Sequence, residues 1–132
     1  MKSITQIPVK TLLVAFALAL MTSTVSAQDV AKVAPNNCKV LLENDRVRVV
    51  EIWIKPGEKL TMHSHPASVT YLLSAAKLKT TLPDGKTVET EAQPGQTLWS
   101  DGGSHEQVNI GTTEARALVV EMKMPAKMPE RK

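Results

Sequence analysis

The sequence predicts an all-β domain, either a barrel or a sandwich. Short segments rich in valine, isoleucine and threonine follow one another, and turns that contain glycine or proline separate them. Turns at intervals of about eight to twelve residues are typical of such folds. After residue 37, no segment of helix length shows an amphipathic helical pattern. The chain has 132 residues, which is enough for one compact domain and too few for two once a leader is removed.

Nine strands are predicted from these patterns. In order, they are 38–42, 46–54, 60–65, 69–73, 77–82, 86–91, 97–100, 105–110 and 115–124. The segment 46–54, RVRVVEIWI, is a clear strand because β-branched residues favour extended backbone. Pro56-Gly57 then breaks it, since neither residue continues a regular strand easily. The segment 69–73, VTYLL, is also β-branched and apolar.

The strands of the second half are predicted mainly from the turns between them. Pro83-Asp84-Gly85 lies between 77–82 and 86–91, and both segments alternate polar with apolar residues. This combination is typical of a hairpin with one solvated face. The final segment, ARALVVEMKM, has the alanine, leucine and glutamate content of a helix. Val119-Val120 and the regular spacing of turns favour a strand instead.

The first 27 residues have the features of a cleavable secretory signal. Lys2 and Lys10 supply positive charge, 12–21 is an apolar run, and Val25-Ser26-Ala27 provides small residues at the exit. An uncleaved membrane anchor is disfavoured because the apolar run is shorter than the roughly 20 residues that span a bilayer. We therefore expect cleavage after Ala27 and a periplasmic or secreted protein.

The remaining chain is predicted to hold one β-barrel, at 38–124. A flexible N-terminal arm, 28–37, would precede it, because QDVAKVAPNN is polar and contains a proline and an asparagine pair. A flexible tail, 125–132, would follow it, because that segment has two prolines and ends in charge.

Charge and composition argue against a nucleic-acid-binding protein. The formal net charge is +3, and it falls to about +1 when the two lysines of the leader are removed. The sequence has no cluster of lysine and arginine of the kind that follows phosphates, and aromatic residues make up 3% of it. Cys38 is the single cysteine, so no internal disulfide forms, and we interpret it as a small buried residue.

Three histidines form the pattern that suggests a function. His63 and His65 are one residue apart on a predicted strand, so their side chains point to the same face. His105 follows forty residues later, beside another glycine turn. Three imidazole ligands suit a divalent transition metal and leave coordination positions open for water or a substrate. The alternative is that these are polar strand residues near a barrel mouth that bind no metal.

The residues from Gly57 to Asn109 resemble the two motifs of the cupin superfamily, which are small β-barrels of the jelly-roll type. The first motif of that family has a glycine, five residues, H-x-H and then a glutamate. This chain has Gly57, five residues, and His63-Ser64-His65. The second motif has a glycine, a proline–glycine turn, a histidine and an asparagine four residues later. This chain has Gly95, a turn at 101–103, His105 and Asn109.

The chain departs from the family pattern at one ligand position. The family glutamate would fall near Val69 or Thr70, and no carboxylate occurs between Pro66 and Pro83. The resemblance therefore implies a site of three histidines alone, as in some cupin-like dioxygenases. Without the glutamate the metal site would be net cationic and would favour an anionic or chelating ligand. The second motif also has Ser100 or Asp101 where the family has proline.

Several neighbouring residues are candidates for the lining of the site. Gln107 lies one strand period from His105 and is predicted to contact a substrate or a metal-bound water. Tyr71 is a further candidate, as a proton donor or substrate contact. Asn109 is interpreted as a residue that hydrogen-bonds neighbouring backbone, and Trp99 as a core residue. The sequence identifies no catalytic residue among them.

The leading functional hypothesis is a small exported metal-dependent enzyme, dioxygenase-like, that acts on a small anionic or chelating molecule. The metal would be iron, manganese, nickel, copper or zinc. The alternatives are a non-catalytic barrel that holds a small molecule or a metal, and a degenerate barrel whose histidines bind nothing. A homodimer is also predicted, through strand addition at the apolar runs 47–54 and 118–120. No nucleic-acid partner and no membrane attachment after signal cleavage are expected.

Overall fold

The computed structural model describes residues 28–123. One short helix, α1, spans Val30–Val33, and nine strands follow it. The strands are β1 Cys38–Glu43, β2 Val47–Ile54, β3 Lys59–His65, β4 Ser68–Leu72, β5 Ala76–Thr81, β6 Thr87–Ala92, β7 Thr97–Ser100, β8 Gly103–Asn109 and β9 Ala115–Met122. The all-β prediction is confirmed, and each predicted strand corresponds to one of these.

The strands form two sheets rather than one closed barrel. The larger sheet has five strands in the order β1-β2-β9-β4-β7, and the smaller has four in the order β3-β8-β5-β6. Every paired neighbour is antiparallel. Consecutive strands therefore often lie in different sheets, which brings residues distant in sequence together between the sheets.

The core lies between the two sheets and follows the alternation of each strand. Val50, Ile52 and Ile54 of β2 are buried, and the residues between them are less so. Leu60 of β3 and Val119 of β9 belong to the same buried cluster. Each fully buried side chain of this size contributes about 1.5–3 kcal/mol through removal from water. Within the described residues, no helix is long and apolar enough to cross a membrane.

The N-terminal segment differs from the flexible arm predicted at 28–37. Asp29 caps α1, accepting a 2.8 Å hydrogen bond from the backbone N–H of Ala31. Val30 is fully buried in the main core cluster. The prediction gave too much weight to the polar composition, because one buried valine and one capping aspartate are enough to fix this segment. The predicted signal, 1–27, and the predicted tail, 125–132, lie outside the described residues.

The predicted dimerisation route through β2 and β9 is not available in this fold. β2 pairs with β1 on one side and β9 on the other, and β9 pairs with β2 and β4. Neither strand is an edge, so neither can accept an additional strand. The edges of this sheet are β1 and β7. Trp99 of β7, predicted to be a core residue, is 60% exposed because it lies on the outer face of that edge strand.

Candidate metal centre

The structure brings the three histidines together at one place between the sheets. β3 and β8 are neighbours, and their register places His63 directly opposite His105. His65 follows His63 by one strand period and faces the same side. The ring centroids are 4.6 to 5.5 Å apart, and one potential ligand atom from each ring lies within 4.8 Å of the others.

His63 has a nitrogen that suits a metal and has no other partner. Its side chain is 1% exposed. Nδ1 lies 2.7 Å from the carbonyl oxygen of Thr61, which can only accept, so Nδ1 carries the proton. Nε2 therefore has a free lone pair, and it is buried without a hydrogen-bond partner among the described residues. Since burial lowers the pKa of His63, and the hydrogen bond to Thr61 offsets this only in part, the ring stays neutral as a metal ligand must.

His65 is oriented by a carboxylate from the opposite sheet. Its Nδ1 donates a 2.7 Å hydrogen bond to Oε1 of Glu121 on β9. The other nitrogen, Nε2, is then left with its lone pair available for a metal. A carboxylate that accepts from a ligand histidine in this way fixes the tautomer and the ring orientation. Glu121 is not itself a member of the cluster that could hold an ion.

Glu121 was missed by the sequence analysis. It is 2% exposed, and its neighbours in the alternation of β9, Val119 and Ala117, face the interior too. Burial alone would raise the pKa of Glu121, but hydrogen bonds from His65 and Arg48 outweigh this and lower the pKa below its usual value. A lone acid at an inward-facing position of an apolar strand was the signal in the sequence, because buried carboxylates normally have a partner.

The pKa of His105 is lowered most strongly, to about 4. Burial is the main cause, and the neighbouring rings of His63 and His65 add to it. At neutral pH the ring is therefore uncharged and can offer a lone pair. The three imidazoles together fit a divalent transition metal, because nitrogen donors of this kind suit zinc, copper, iron and nickel.

A cavity of about 350 Å³ adjoins the cluster and gives it a place for a small molecule. His65 and His105 face this cavity, whereas His63 lies behind them. Most of its lining is apolar or carries a hydroxyl group, and no aspartate or glutamate lines it among the described residues. The lining includes Ile52, Leu72, Leu78, Thr70, Thr80 and Ser100.

The two residues predicted to line the site have different positions. Gln107 faces the cavity, and its side-chain amide donates a 3.3 Å hydrogen bond to the Thr80 hydroxyl. Tyr71 does not face it: Ser68, Thr70 and Leu72 of β4 point inward, so Tyr71 points outward and is 44% exposed. The prediction for Tyr71 as a substrate contact is therefore wrong, because strand alternation puts it on the outer face.

Asn109 has the backbone role that was expected of it. It is 1% exposed, and its side-chain amide donates to the carbonyl oxygens of Ile54 and Thr113 at 2.7 and 2.8 Å. Its side-chain oxygen accepts from the Gly111 N–H at 2.9 Å. These bonds hold the end of β8 to the end of β2 and to the turn before β9, and they use both N–H groups of the amide.

Gly102 allows the turn before β8 to approach the end of β3 closely. Its φ is +93°, and a Cβ atom added there would lie 2.8 Å from the carbonyl carbon of Pro66 and 2.9 Å from the carbonyl oxygen of His65. Only glycine fits such a position without movement of the backbone. The turn therefore seats β8 and His105 against the strand that carries the other two histidines.

Comparison with known proteins supports the fold through structure and not through sequence. No protein-family model matches the sequence, and no curated protein matches it either. A cupin domain from Bordetella pertussis is 26% identical, with a TM-score of 0.61, and the alignment covers 66% of this chain and 92% of that one. A Klebsiella pneumoniae protein with a double-stranded β-helix domain is 20% identical, with a TM-score of 0.54 and coverage of 75% and 90%.

A third similar structure is an enzyme. The polyketide cyclase RemF from Streptomyces resistomycificus is 24% identical, with a TM-score of 0.51. The alignment covers 66% of this chain and 64% of RemF, so this chain spans less than two thirds of that enzyme. The resemblance deduced from the two histidine motifs is confirmed by these matches and by the cluster itself. The chain has the cupin fold, with three histidines at metal-binding distance of one another.

Proposed function

We propose that this protein binds one divalent transition-metal ion through ring nitrogens of His63, His65 and His105. The observation that carries this proposal is the Nε2 atom of His63, which is buried and has no hydrogen-bond partner among the described residues. An unpaired buried acceptor is costly unless something binds it. Two further imidazoles converge on the same point, so a metal ion is the partner that satisfies all three.

We further propose that the molecule bound in the cavity is small and anionic or chelating. Three neutral ligands leave the charge of a divalent ion uncompensated, and no acidic side chain lines the cavity among the described residues. A carboxylate or a pair of enolate-type oxygens would supply both the missing charge and the missing ligand atoms. The volume of about 350 Å³ limits the molecule to a small one.

The proposed activity is that of a metal-dependent, dioxygenase-like enzyme. A bound metal with open positions supplies Lewis acidity and a template for a chelated substrate. The chain itself would position that substrate through Gln107 beside His105, while Leu72 and Leu78 exclude water from the cavity. The cavity offers no carboxylate as a general base, which disfavours chemistry that depends on proton shuttling by a protein acid.

The alternative function is a non-catalytic barrel that holds a small molecule or the metal itself. The specific observation in its favour is the same absence of an acidic residue from the described lining. The ionisable side chains that line the cavity among the described residues are then His65, His105 and Arg116. The guanidinium of Arg116 pairs with Glu51 and Glu114 at 3.5 and 3.4 Å. Fold alone does not decide between these functions, since one fold supports many chemistries.

Elemental analysis of the untagged protein tests the metal proposal. The comparison is a His63→Ala/His65→Ala/His105→Ala variant, checked for folding by circular dichroism. Near one metal per chain in the natural protein, lost in the variant, is the expected result. No metal in the natural protein after loading with iron, manganese, nickel, copper and zinc salts in turn would refute it. Oxygen uptake with chelating acids then separates the enzyme from the binder, which binds such acids without turnover.

We also propose that the protein is exported to the periplasm or beyond and is cleaved after Ala27. The proposal is supported by the charged start, the apolar run and the small residues at the exit of the leader. Intact-mass spectrometry of the protein from a periplasmic extract would give a chain that begins at Gln28. A mass that includes the leader, or a protein confined to the cytoplasm, would contradict it.

A further inference from the structure

A line of ionic contacts runs from the N-terminal segment to His65. Asp29 Oδ2 accepts from Arg48 Nη1 at 2.5 Å, and Arg48 Nε donates to Glu121 Oε2 at 2.6 Å. Glu121 Oε1 then accepts from His65 Nδ1 at 2.7 Å. Both oxygens of Glu121 are thus used, one for the histidine and one for the arginine. Arg48 and Glu121 are direct cross-strand partners on β2 and β9, which fixes their relative position.

The same N-terminal segment also contacts the backbone between the two neighbouring histidines. β3 is an edge strand of the smaller sheet. The backbone N–H of Ser64, which lies between His63 and His65, donates to the carbonyl oxygen of Gln28 at 2.9 Å. Asp29 and Ser64 form a parallel bridge. Residues 28–29 therefore pair with the outer edge of β3 at Ser64, between the two histidines.

The burial of Val30 shows that the contact of residues 28–29 with Ser64 is a fixed part of the fold. Val30, next to the bridge, is fully buried and packs in the main core cluster. Asp29 uses its two carboxylate oxygens separately, Oδ1 for the N–H of Ala31 and Oδ2 for Arg48. One short segment thus holds the histidine pair from two directions, through the backbone at Ser64 and through the side chains that end at His65.

We propose that residues 28–30 form a clasp that positions the metal site, with Asp29, Arg48 and Glu121 acting as positioning residues for His65. The inference rests on the metal site proposed above. Glu121 holds His65 in the tautomer that presents Nε2 to the metal, and Arg48 and Asp29 hold Glu121 in turn. The affinity for metal consequently depends on Asp29, which is not a metal ligand. Asp29 lies near the start of the described residues, whereas Glu121 lies near their end.

The competing explanation is that these contacts only stabilise the fold. In that case, loss of a charge would lower resistance to urea and would leave the affinity for metal unchanged. Three single variants separate the two explanations. Glu121→Gln keeps the shape of the side chain, and Asp29→Asn keeps the helix cap, because asparagine caps as well as aspartate. Glu106→Gln is the matched control, since it removes the ion pair of Glu106 with Lys59 on the outer face of β8, next to His105.

The measurement is a titration with Co(II) alone, followed by its visible absorption, with urea unfolding of each metal-free variant. Glu121→Gln is expected to weaken Co(II) binding by about 10- to 100-fold and to alter the spectrum, as loss of such partners does at other metal sites. Asp29→Asn is expected to give a smaller loss, above about threefold, and Glu106→Gln a change of no more than about twofold. Nitrogen-15 NMR of the His65 ring in the metal-free natural protein is expected to show the Nδ1–H tautomer. In the Glu121→Gln variant, the same measurement is expected to show a mixture of the two tautomers.

The outcomes distinguish this inference from the metal proposal. If the natural protein binds Co(II), and both Glu121→Gln and Asp29→Asn bind it as tightly with an unchanged His65 tautomer, the positioning role is refuted and the metal site stands. If the folded natural protein binds no Co(II), the metal site fails and this inference fails with it. If Glu121→Gln does not fold, Asp29→Asn still decides, because Asp29 is 30% exposed and its replacement keeps the cap.

Discussion

Replacement of Gly102 by alanine tests the close approach that seats β8 beside the histidine pair. Two costs are expected. The positive φ of +93° costs a non-glycine residue about 1–2 kcal/mol. The new Cβ would also lie 2.8 Å from the Pro66 carbonyl carbon, well inside the roughly 3.5–4.0 Å of a normal carbon contact. The two nearest atoms, the Pro66 carbonyl carbon and the His65 carbonyl oxygen, both belong to the backbone. No side chain can therefore rotate away, and overpacking of this kind adds about 1–3 kcal/mol.

Gly85 provides a matched control for this prediction. Its φ of +86° is nearly the same, but nothing lies within 4 Å of an added Cβ. Gly85→Ala should therefore cost only the backbone term of about 1–2 kcal/mol, whereas Gly102→Ala should cost about 2–5 kcal/mol. Urea unfolding of the metal-free proteins in the presence of a chelator measures both. Equal losses in the two variants would show that the approach at Gly102 is not a steric constraint.

Gly102→Ala should also weaken metal binding, whereas Gly85→Ala should not. The atoms that must move are the carbonyl groups of His65 and Pro66, which lie at the end of the strand that carries two of the three ligands. Gly85 lies in the β5–β6 hairpin turn and does not line the cavity. A titration with Co(II) distinguishes these expectations, and unchanged affinity in Gly102→Ala would refute the link between the turn and the site.

Three further predictions concern stability and assembly. Val30→Ala should lower the free energy of unfolding by about 2 kcal/mol, because it removes two buried methyl groups; a loss below about 0.5 kcal/mol would support a flexible arm. The free energy of unfolding of the metal-free protein should fall as pH falls from about 6.5 towards 4. In this range His105 binds a proton in the unfolded chain but stays neutral in the folded protein, where its pKa is lowered to about 4. His105→Gln should flatten that decline in urea unfolding at several pH values, and an unchanged slope would contradict this. Since β2 and β9 are interior strands, a homodimer would have to form through an edge strand such as β7, and Trp99→Lys on that strand should weaken it. Sedimentation showing a monomer of the natural protein at high concentration would contradict the dimer itself.

The strands could be predicted from the sequence because their signals are local. A turn such as Pro83-Asp84-Gly85 and a β-branched run such as 46–54 determine the conformation of only a few neighbouring residues. The strands predicted from them lie within one residue of the observed bounds. The pairing of strands within a sheet is not local, because β2 and its partner β9 are far apart in the sequence. The sequence therefore gave no means of knowing that β2 and β9 lie inside a five-stranded sheet, and the apolar character of both strands was misread as that of exposed edges.

The orientation of single side chains was predictable only where a second signal fixed the face. His63 and His65 share a face by period two, and the match of the residues from Gly57 to Asn109 to the two cupin motifs supported an inward orientation. Tyr71 had no such signal. Its strand is apolar on both faces, since Val69 and Tyr71 lie outside while Thr70 and Leu72 lie inside, and alternation without polarity cannot tell the faces apart.

The carboxylate that is missing from the first motif has a counterpart elsewhere in the fold, but with a different role. A glutamate near Val69 or Thr70 would have been a fourth ligand. Glu121 instead contacts the far nitrogen of His65 and is held there by Arg48. Its negative charge strengthens one ligand and is balanced by the arginine, so it does not neutralise the metal or occupy a coordination position. In the metal site that we propose, this arrangement would leave more coordination positions open than a four-ligand set, and the proposed anionic ligand would supply the negative charge.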